Sequence, residues 1–365
     1  MKKYNVFTDG KKNFNYLDSS IGEFIYIVLQ YLVIAFLYIG IALGLKRGSI
    51  LNEVASAVVE IAFAATVLIV ARATKTSIFH ATKLNVKPKG YQIGFTFLLA
   101  LIAYFGFSSL TNSFIELLDI IGYKSSSSGI SISAGWKYPV YILTMAVLPA
   151  FCEELLFRGL VYNGLRTWSK MGAVFVSAAL FMLMHGSPDQ TIHQFLLGIV
   201  LALLFEATGS IWCPMLLHFL NNFIALTLAF IYSNMVTTET EVSSVSESVS
   251  ASPAISFIIG LIVAIFATAI AGLLVWLIVR YLIKRKNKED GVSEPVEAVT
   301  ENGETVIDVP AKEVETNAAE SKPESKINDN QVSDKGRIVA IVFFTLASVW
   351  VAIEWIQALI VGIVK

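Results

Sequence analysis

The sequence predicts an all-α polytopic membrane protein, a transmembrane helical bundle of about eight or nine spans with a polar site inside the membrane. Hydrophobic residues make up 55% of the 365 residues and charged residues only 15%, which is far more apolar than an average soluble domain. Apolar runs of about 18 residues or more, enough to cross the hydrocarbon core, recur along the chain. The net charge of -1 gives no reason to expect a nucleic acid partner, so the lipid bilayer is the first predicted partner.

Nine apolar runs are predicted to be membrane spans. They cover 22–45, 51–71, 91–118, 137–162, 171–186, 190–207, 211–232, 254–283 and 338–363. The first run is too long for the core of a signal peptide, so it is predicted to be a retained helix. The fifth and sixth runs are short and are joined by HGSPDQ. They could instead form a tilted or partly re-entrant pair, which would make eight spans.

The runs divide the chain into six predicted parts. These are an N-terminal segment (1–21), N-terminal helices and loops (22–136), core helices (137–232), an extracytoplasmic loop with the next helix (233–283), an acidic loop (284–336) and a C-terminal helix (337–365). Segment 289–334 holds 13 Asp or Glu against three Lys. Such a composition buries too little apolar surface to offset chain entropy. We therefore expect a disordered cytoplasmic loop, with a docking segment for a partner as the alternative.

The distribution of lysine and arginine predicts the orientation, because basic residues collect in cytoplasmic loops. The densest group ends the eighth run, from Arg280 to Lys288, and Lys335 and Arg337 open the ninth. Counting back through alternating spans predicts a cytoplasmic N-terminus in the cell (plasma) membrane. Lys46 and Arg47 run against this pattern.

Three charges within the fourth run carry the first functional signal. Glu153, Glu154 and Arg158 lie in the stretch FCEELLFR, and a charge at this depth normally faces a protein interior or a wet cavity. Glu154 and Arg158 are one helical turn apart and can pair. Glu153 points about 100° away on the helix and needs partners from other helices.

Later runs carry matching polar residues. His185 ends the fifth run four residues after Phe181, and the seventh run contains His218 four residues before Asn222. Each histidine alone is typical of packing or hydrogen bonding. Together with a carboxylate and water they could supply a base, its orienting groups and donors to an oxyanion, as amide hydrolysis requires.

In order and spacing, the three motifs Glu-Glu-x-x-x-Arg, Phe-x-x-x-His and His-x-x-x-Asn resemble those of the CPBP family. These are intramembrane proteases related to the type II CAAX prenyl endopeptidase and to bacteriocin-processing and immunity proteins, also called the Abi family. The phrase TGSIWCPMLLHFLNN is similar to the family's turn into its last motif helix. The resemblance covers roughly 137–232.

Roles for six residues follow from the resemblance. It implies that Glu153 activates the attacking water and that His185 helps to hold or deprotonate it. Glu154 and Arg158 would position the first carboxylate and the helix. His218 and Asn222 would donate hydrogen bonds to the tetrahedral oxyanion.

The sequence leaves the cofactor open between none and a divalent metal such as zinc. Members of the family are described as metalloproteases, and Glu153, His185 and His218 could supply three ligands with one open position. With zinc bound, Glu153 would become a ligand and Glu154 the base. There is no His-Glu-x-x-His helix, and a metal-free mechanism uses the same residues, which we favour slightly.

The predicted function is an intramembrane endopeptidase acting on a peptide or a membrane-tethered protein. Its cavity is predicted to lie among the fourth to seventh spans and to open towards the cytoplasm. A proteolytically inactive scaffold, immunity or sensor-partner protein is the main alternative, and a transporter ranks last. His193 is predicted to be interfacial, with a place at the cavity mouth as the alternative. Cys152 is predicted to be no nucleophile, and Glu60 and Glu206 to serve helix packing or to lie at the interface. The sequence predicts no oligomeric state.

Overall fold

The computed structural model describes residues 5–42, 49–124, 137–236, 253–291, 296–299, 305–308 and 334–364. Eight helices in this part of the chain are long and apolar enough to cross a membrane. The all-α polytopic bundle predicted from the sequence is therefore confirmed, and the protein is an integral membrane protein.

The helices follow one another in a simple up-and-down order. The first four are α1 (Tyr16–Ala42), α2 (Ser49–Thr74), the short α3 (Ile78–Ala81) and α4 (Gly90–Ile120). The fourth span, Lys137–Leu165, is made of α5 (Lys137–Ile142), a π-helical segment (Leu143–Val147), α6 (Leu148–Glu154), a second π-helical segment (Leu155–Tyr162) and α7 (Asn163–Leu165). Then come α8 (Lys170–Met184), a 3₁₀ turn (Pro188–Gln190), α9 (Thr191–Thr208), α10 (Trp212–Val236), α11 (Pro253–Glu289) and α12 (Asp334–Val364).

Contacts between loops define two sides of the bundle. On the N-terminal side, the Ile78 N–H donates to the Val6 carbonyl at 3.0 Å, and the Trp212 indole donates to the Leu84 carbonyl at 2.9 Å. On the far side, the Lys124 N–H donates to the Gly362 carbonyl at 2.8 Å. The chain thus starts on one side and ends on the other, as alternating spans require.

The fifth predicted span is shorter than the others. Helix α8 has 15 residues, below the length that crosses the hydrocarbon core, so eight helices of the described chain are long enough to span. Helix α8 is a shorter ninth pass that runs from Lys170 on the N-terminal side to His185 at the far half. The helix stops because Gly186, at φ +58°, leaves the helical conformation and Pro188 follows. Helices α8 and α9 then pack closely, since a Cβ on Gly198 would lie 2.9 Å from the Ala178 Cα.

The fourth span lies at the centre of the bundle. Half of its most apolar window is buried, compared with 17% for α11 and α12, so those two helices form the periphery. Leu156, Leu160 and Val161 are fully buried. The charges of this span are therefore surrounded by protein rather than lipid.

Two short strands lie in the acidic loop. Val296–Val299 pairs antiparallel with Thr305–Asp308, where β-branched residues favour an extended chain. For these eight residues the structure differs from the predicted disorder. Residues 292–295, 300–304 and 309–333 lie outside the described part of the chain, as do Lys46 and Arg47.

Candidate active site

The helix that carries Glu153 and Glu154 is interrupted on both sides. The seven-residue α6 stands between two π-helical segments, a feature that often occurs at functional sites. Pro149 has no N–H and therefore cannot bond to the Met145 carbonyl four residues earlier. Instead, the Asn222 side-chain amide donates to that carbonyl at 3.1 Å. The irregular helix thus fastens α10 to the fourth span.

A fully buried network supports the site from behind. The Arg158 guanidinium donates to Glu154 Oε1 at 2.8 Å and to the Gly198 carbonyl at 3.1 Å. His218 Nδ1 lies 2.9 Å from the same Glu154 oxygen, so this nitrogen carries a proton and donates. The guanidinium also lies 4.6 Å from the centre of the Phe181 ring. Glu154, Arg158 and His218 therefore hold α6, α9 and α10 together.

Glu153 stands in front of this network with an unused oxygen. Its Oε2 lies 4.0 Å from His218 Nε2 and makes no hydrogen bond with any described residue. Glu60 of α2 lies against Glu153, and its own Oε2 is also without a partner in the described residues. Two carboxyl groups with free oxygens inside a membrane bundle define a place where water can be held.

Glu153 and Glu60 line an open cavity of about 600 Å³ whose walls include parts of the described helices α2, α4, α6, α9 and α10. Other lining residues include Tyr104, Asn112, Thr144, His185, Asn221 and Asn222. His185 Nδ1 lies 2.7 Å from the Phe181 carbonyl, so it donates there, and the neutral ring keeps a lone pair on Nε2. The cavity is thus lined by acids, imidazoles and amides.

Of the six residues predicted to act, the structure brings four to this cavity or its edge. Glu153, His185 and Asn222 line it, and His218 reaches Glu153 from behind. Glu154 and Arg158 are fully buried and do not line it. The positioning roles that the resemblance implies for them stay predictions.

The sequence analysis missed three residues of the cavity. His193 was predicted to be interfacial, with the cavity mouth as the alternative, and the structure favours the alternative, since its Nε2 lies 3.2 Å from Asn221 Oδ1 in the cavity wall. Asn221 also donates to the Asn222 side chain at 3.2 Å. Glu60 was predicted to serve helix packing or to lie at the interface. Its position within an apolar run was the available signal.

The cavity lies in the half of the bundle remote from the N-terminus. On α4 its lining runs from Tyr104 to Ile115, in the half that ends near Lys124 and Gly362. Exposed Ser56 and Asn112 stand at its mouth, while Glu153 is buried at its base. A cytoplasmic N-terminus and a cavity open to the cytoplasm therefore cannot both hold. The basic residues Lys83, Lys87 and Lys89 are on the N-terminal side, and both the cytoplasmic N-terminus and the cytoplasmic opening stay predictions.

The metal alternative does not fit this arrangement. Within the described residues no group of three or more His, Cys, Asp or Glu is placed to hold a metal ion. Glu153, His185 and His218 thus do not form a ligand set among the described residues.

The remaining polar residues have other surroundings. Cys152 and Cys213 are free and buried, with no thiol-activating group described beside them. Glu206 pairs with Arg166 at 3.3 Å and with Lys170 at 3.0 Å. It lies on the N-terminal side, away from the site.

Residues 135–224 match the model of a family described as type II CAAX prenyl endopeptidase Rce1-like. The match spans about a quarter of the chain and contains all six predicted site residues. It confirms the resemblance and supports a function of the CAAX-type intramembrane protease kind. The matched description does not extend to a metalloprotease or to the Abi proteins. No curated protein and no solved structure matches the chain.

Proposed function

We propose that the chain is an intramembrane endopeptidase that hydrolyses peptide bonds of membrane-associated or peptide substrates. The observation that carries this proposal is the Glu153 carboxyl group, which has a free oxygen in a cavity wall inside the bundle. The family match supports the same class of reaction. A buried carboxyl oxygen without a hydrogen-bond partner costs stability, so a chemical role accounts for its presence.

Glu153 would act as the general base. A water molecule between Glu153 and the lone pair of His185 Nε2 would be oriented by both groups. As the water oxygen attacks the peptide carbonyl carbon, its proton passes to Glu153. The same carboxyl group then returns this proton to the leaving nitrogen as the C–N bond breaks, which leaves a new carboxylate and a new amine.

Asn222 and His218 would stabilise the oxyanion. The Asn222 amide uses one N–H for the Met145 carbonyl, so its second N–H is available to an incoming oxygen. His218 donates through Nδ1 to Glu154, so its Nε2 can donate only when the ring is protonated. A donor of this kind contributes about 2.7–4 kcal/mol in other hydrolases.

We further propose that the protein resides in the plasma membrane with its N-terminus in the cytoplasm. The basic residues at the ends of α7, α8 and α11 share the N-terminal side, which supports this orientation. The cavity would then receive substrate from outside the cytoplasm or from the bilayer. Peptides leaving the cell and membrane-tethered proteins are the substrate classes that meet this geometry.

Cleavage of a peptide mixture by purified protein in lipid nanodiscs tests the proposal. The mixture is digested in ¹⁸O water, and mass spectrometry identifies products that carry the label at a new C-terminus. Wild type and the control Glu116→Gln, an exposed acid of α4 outside the cavity, should give the same products, and Glu153→Gln should give none. Two results would favour the inactive scaffold. Either the products persist with Glu153→Gln, or the wild-type protein cleaves none of the membrane-protein peptides tested.

A further inference from the structure

A second cavity, here called the basic cavity, lies on the N-terminal side of the bundle. It has a volume of about 640 Å³ and lies between the loop before α4, the turn between α7 and α8, and the ends of α9 and α11. Its basic lining residues are Lys83, Lys87, Lys89, Arg166, Lys170 and Lys286. Its acidic ones are Glu206 and Asp290, so positive charge exceeds negative charge by four among the lining residues, and by three when the pairing of Lys89 with Glu289 is counted. None of its residues lines the cavity of Glu153.

The carboxylate of Glu206 is already shared. It pairs with Arg166 and Lys170 and accepts from the Tyr162 hydroxyl at 3.1 Å. Lys286 reaches only the main-chain carbonyl of Glu206, at 3.3 Å. One carboxylate thus pairs with two cations, and the N–H donors of these cations are already in position for a further anion.

Lys83 lies at the basic cavity in an unfavourable backbone conformation and beside other cations. Its backbone adopts φ +62°, a left-handed conformation that is uncommon for lysine. Partial burial, together with the nearby charges of Arg166 and Lys286, lowers the pKa of its ammonium group. Among the described residues neither Lys83 nor Lys87 has a carboxylate partner.

The loop that carries these lysines is fastened to the bundle. The Ser210 hydroxyl donates to the Val86 carbonyl at 2.6 Å, and the Trp212 indole donates to Leu84 at 2.9 Å. The lysines are therefore held close together by the fold and cannot separate freely in response to their repulsion.

We propose that the basic cavity binds a phosphate-bearing anion at the membrane surface. Clustered lysine and arginine side chains suit phosphate oxygens, and basic pockets between helix ends at the cytoplasmic surface suit anionic lipid headgroups. A soluble phosphate compound offers the same chemistry. The bound anion would offset the repulsion among the cations and fix α9 and α11 relative to the loop before α4.

Binding to the purified full-length chain in mild detergent tests this proposal. The probes are dihexanoyl phosphatidylglycerol and inorganic pyrophosphate, with dihexanoyl phosphatidylcholine as the zwitterionic comparison. We expect an anionic probe to bind, and the double variant Lys83→Gln/Lys286→Gln to raise its Kd about ten-fold or more. Lys83→Arg should bind like wild type because it keeps the charge. Lys75→Gln is the matched control, since Lys75 also has a positive φ, +53°, and lies outside the basic cavity.

The two probes distinguish the source of the phosphate. Tight binding of the lipid alone supports a headgroup site, and displacement of the lipid by pyrophosphate supports a site open to soluble phosphate. If the double variant does not purify, Lys87→Gln at an exposed position replaces it, and we expect the Kd of the anionic probe to rise about three-fold. Equal Kd values for wild type and these variants, or an equal loss with Lys75→Gln, would overturn the proposal.

Discussion

Arg158 is the largest residue with a fully buried side chain in the described part of the chain. Glu154 is the only described carboxylate within 4 Å of its guanidinium group. We expect Arg158→Leu to lower the free energy of unfolding by about 3–5 kcal/mol, because it leaves the Glu154 carboxylate buried with a single histidine bonded to it. Titration from mild detergent into dodecyl sulfate, followed by tryptophan fluorescence, measures the loss.

The double variant Glu154→Gln/Arg158→Leu is the control for this prediction. It removes both charges, so it should be clearly more stable than Arg158→Leu. An Arg158→Leu protein with the wild-type midpoint would show that the pair contributes nothing to the fold.

Glu153, in contrast to Arg158, should contribute little to stability and much to activity. Because its free oxygen has no hydrogen-bond partner in the described residues, Glu153→Gln should change the unfolding free energy by about 0.5 kcal/mol or less. Loss of the base should lower kcat by about 10²–10⁴-fold. The same sulfate-detergent titration and the nanodisc assay report the two effects. A large loss of stability would assign Glu153 a structural role instead.

For single residues, the sequence predicts contacts within one helical turn better than contacts between separate helices. The Glu154–Arg158 pair followed from a spacing of four residues. The contact of Glu60 with Glu153 joins helices 93 positions apart in the numbering, and no periodicity within one helix could reveal it. His193 and Asn221 were missed for the same reason.

At the scale of helices, close packing of α8 and α9 places Arg158 and His185. Gly198→Ala should destabilise the protein by about 1–3 kcal/mol, because its Cβ would lie 2.9 Å from the Ala178 Cα. The matched control is Gly94→Ala in α4, where a Cβ meets nothing within 4 Å. That change should be neutral or stabilising by up to about 1 kcal/mol. Thermal unfolding of both variants checks the pair, and equal shifts would contradict the packing argument.

The helix boundaries show what apolar periodicity leaves out. The runs placed every long helix, since hydrophobic length alone decides a span. The two π-helical segments were not predicted, because they arise from contacts such as that of Asn222 with the Met145 carbonyl. Pro149 was the local sign that the helix could not continue regularly.

At the scale of the whole molecule, the side on which the cavity opens is a testable consequence. In a cell with a cytoplasmic N-terminus, a membrane-impermeant maleimide should label Asn112→Cys at the cavity mouth from outside. Asn85→Cys, exposed in the loop before α4, should be labelled only after permeabilisation. Both native cysteines are buried, so the background should be low. Labelling in the reverse order would invert the orientation.

The central claim is that Glu153 makes this protein a protease. The most direct measurement compares new protein termini, by mass spectrometry, in membranes of cells that make wild type, Glu153→Ala or the control Glu354→Ala, at equal amounts. Glu354 is a half-buried acid of α12 outside the cavity. If Glu153 is the general base, the new termini should appear with wild type and Glu354→Ala and should be absent with Glu153→Ala. Identical termini in all three, with a wild-type phenotype that persists in Glu153→Ala, would contradict it.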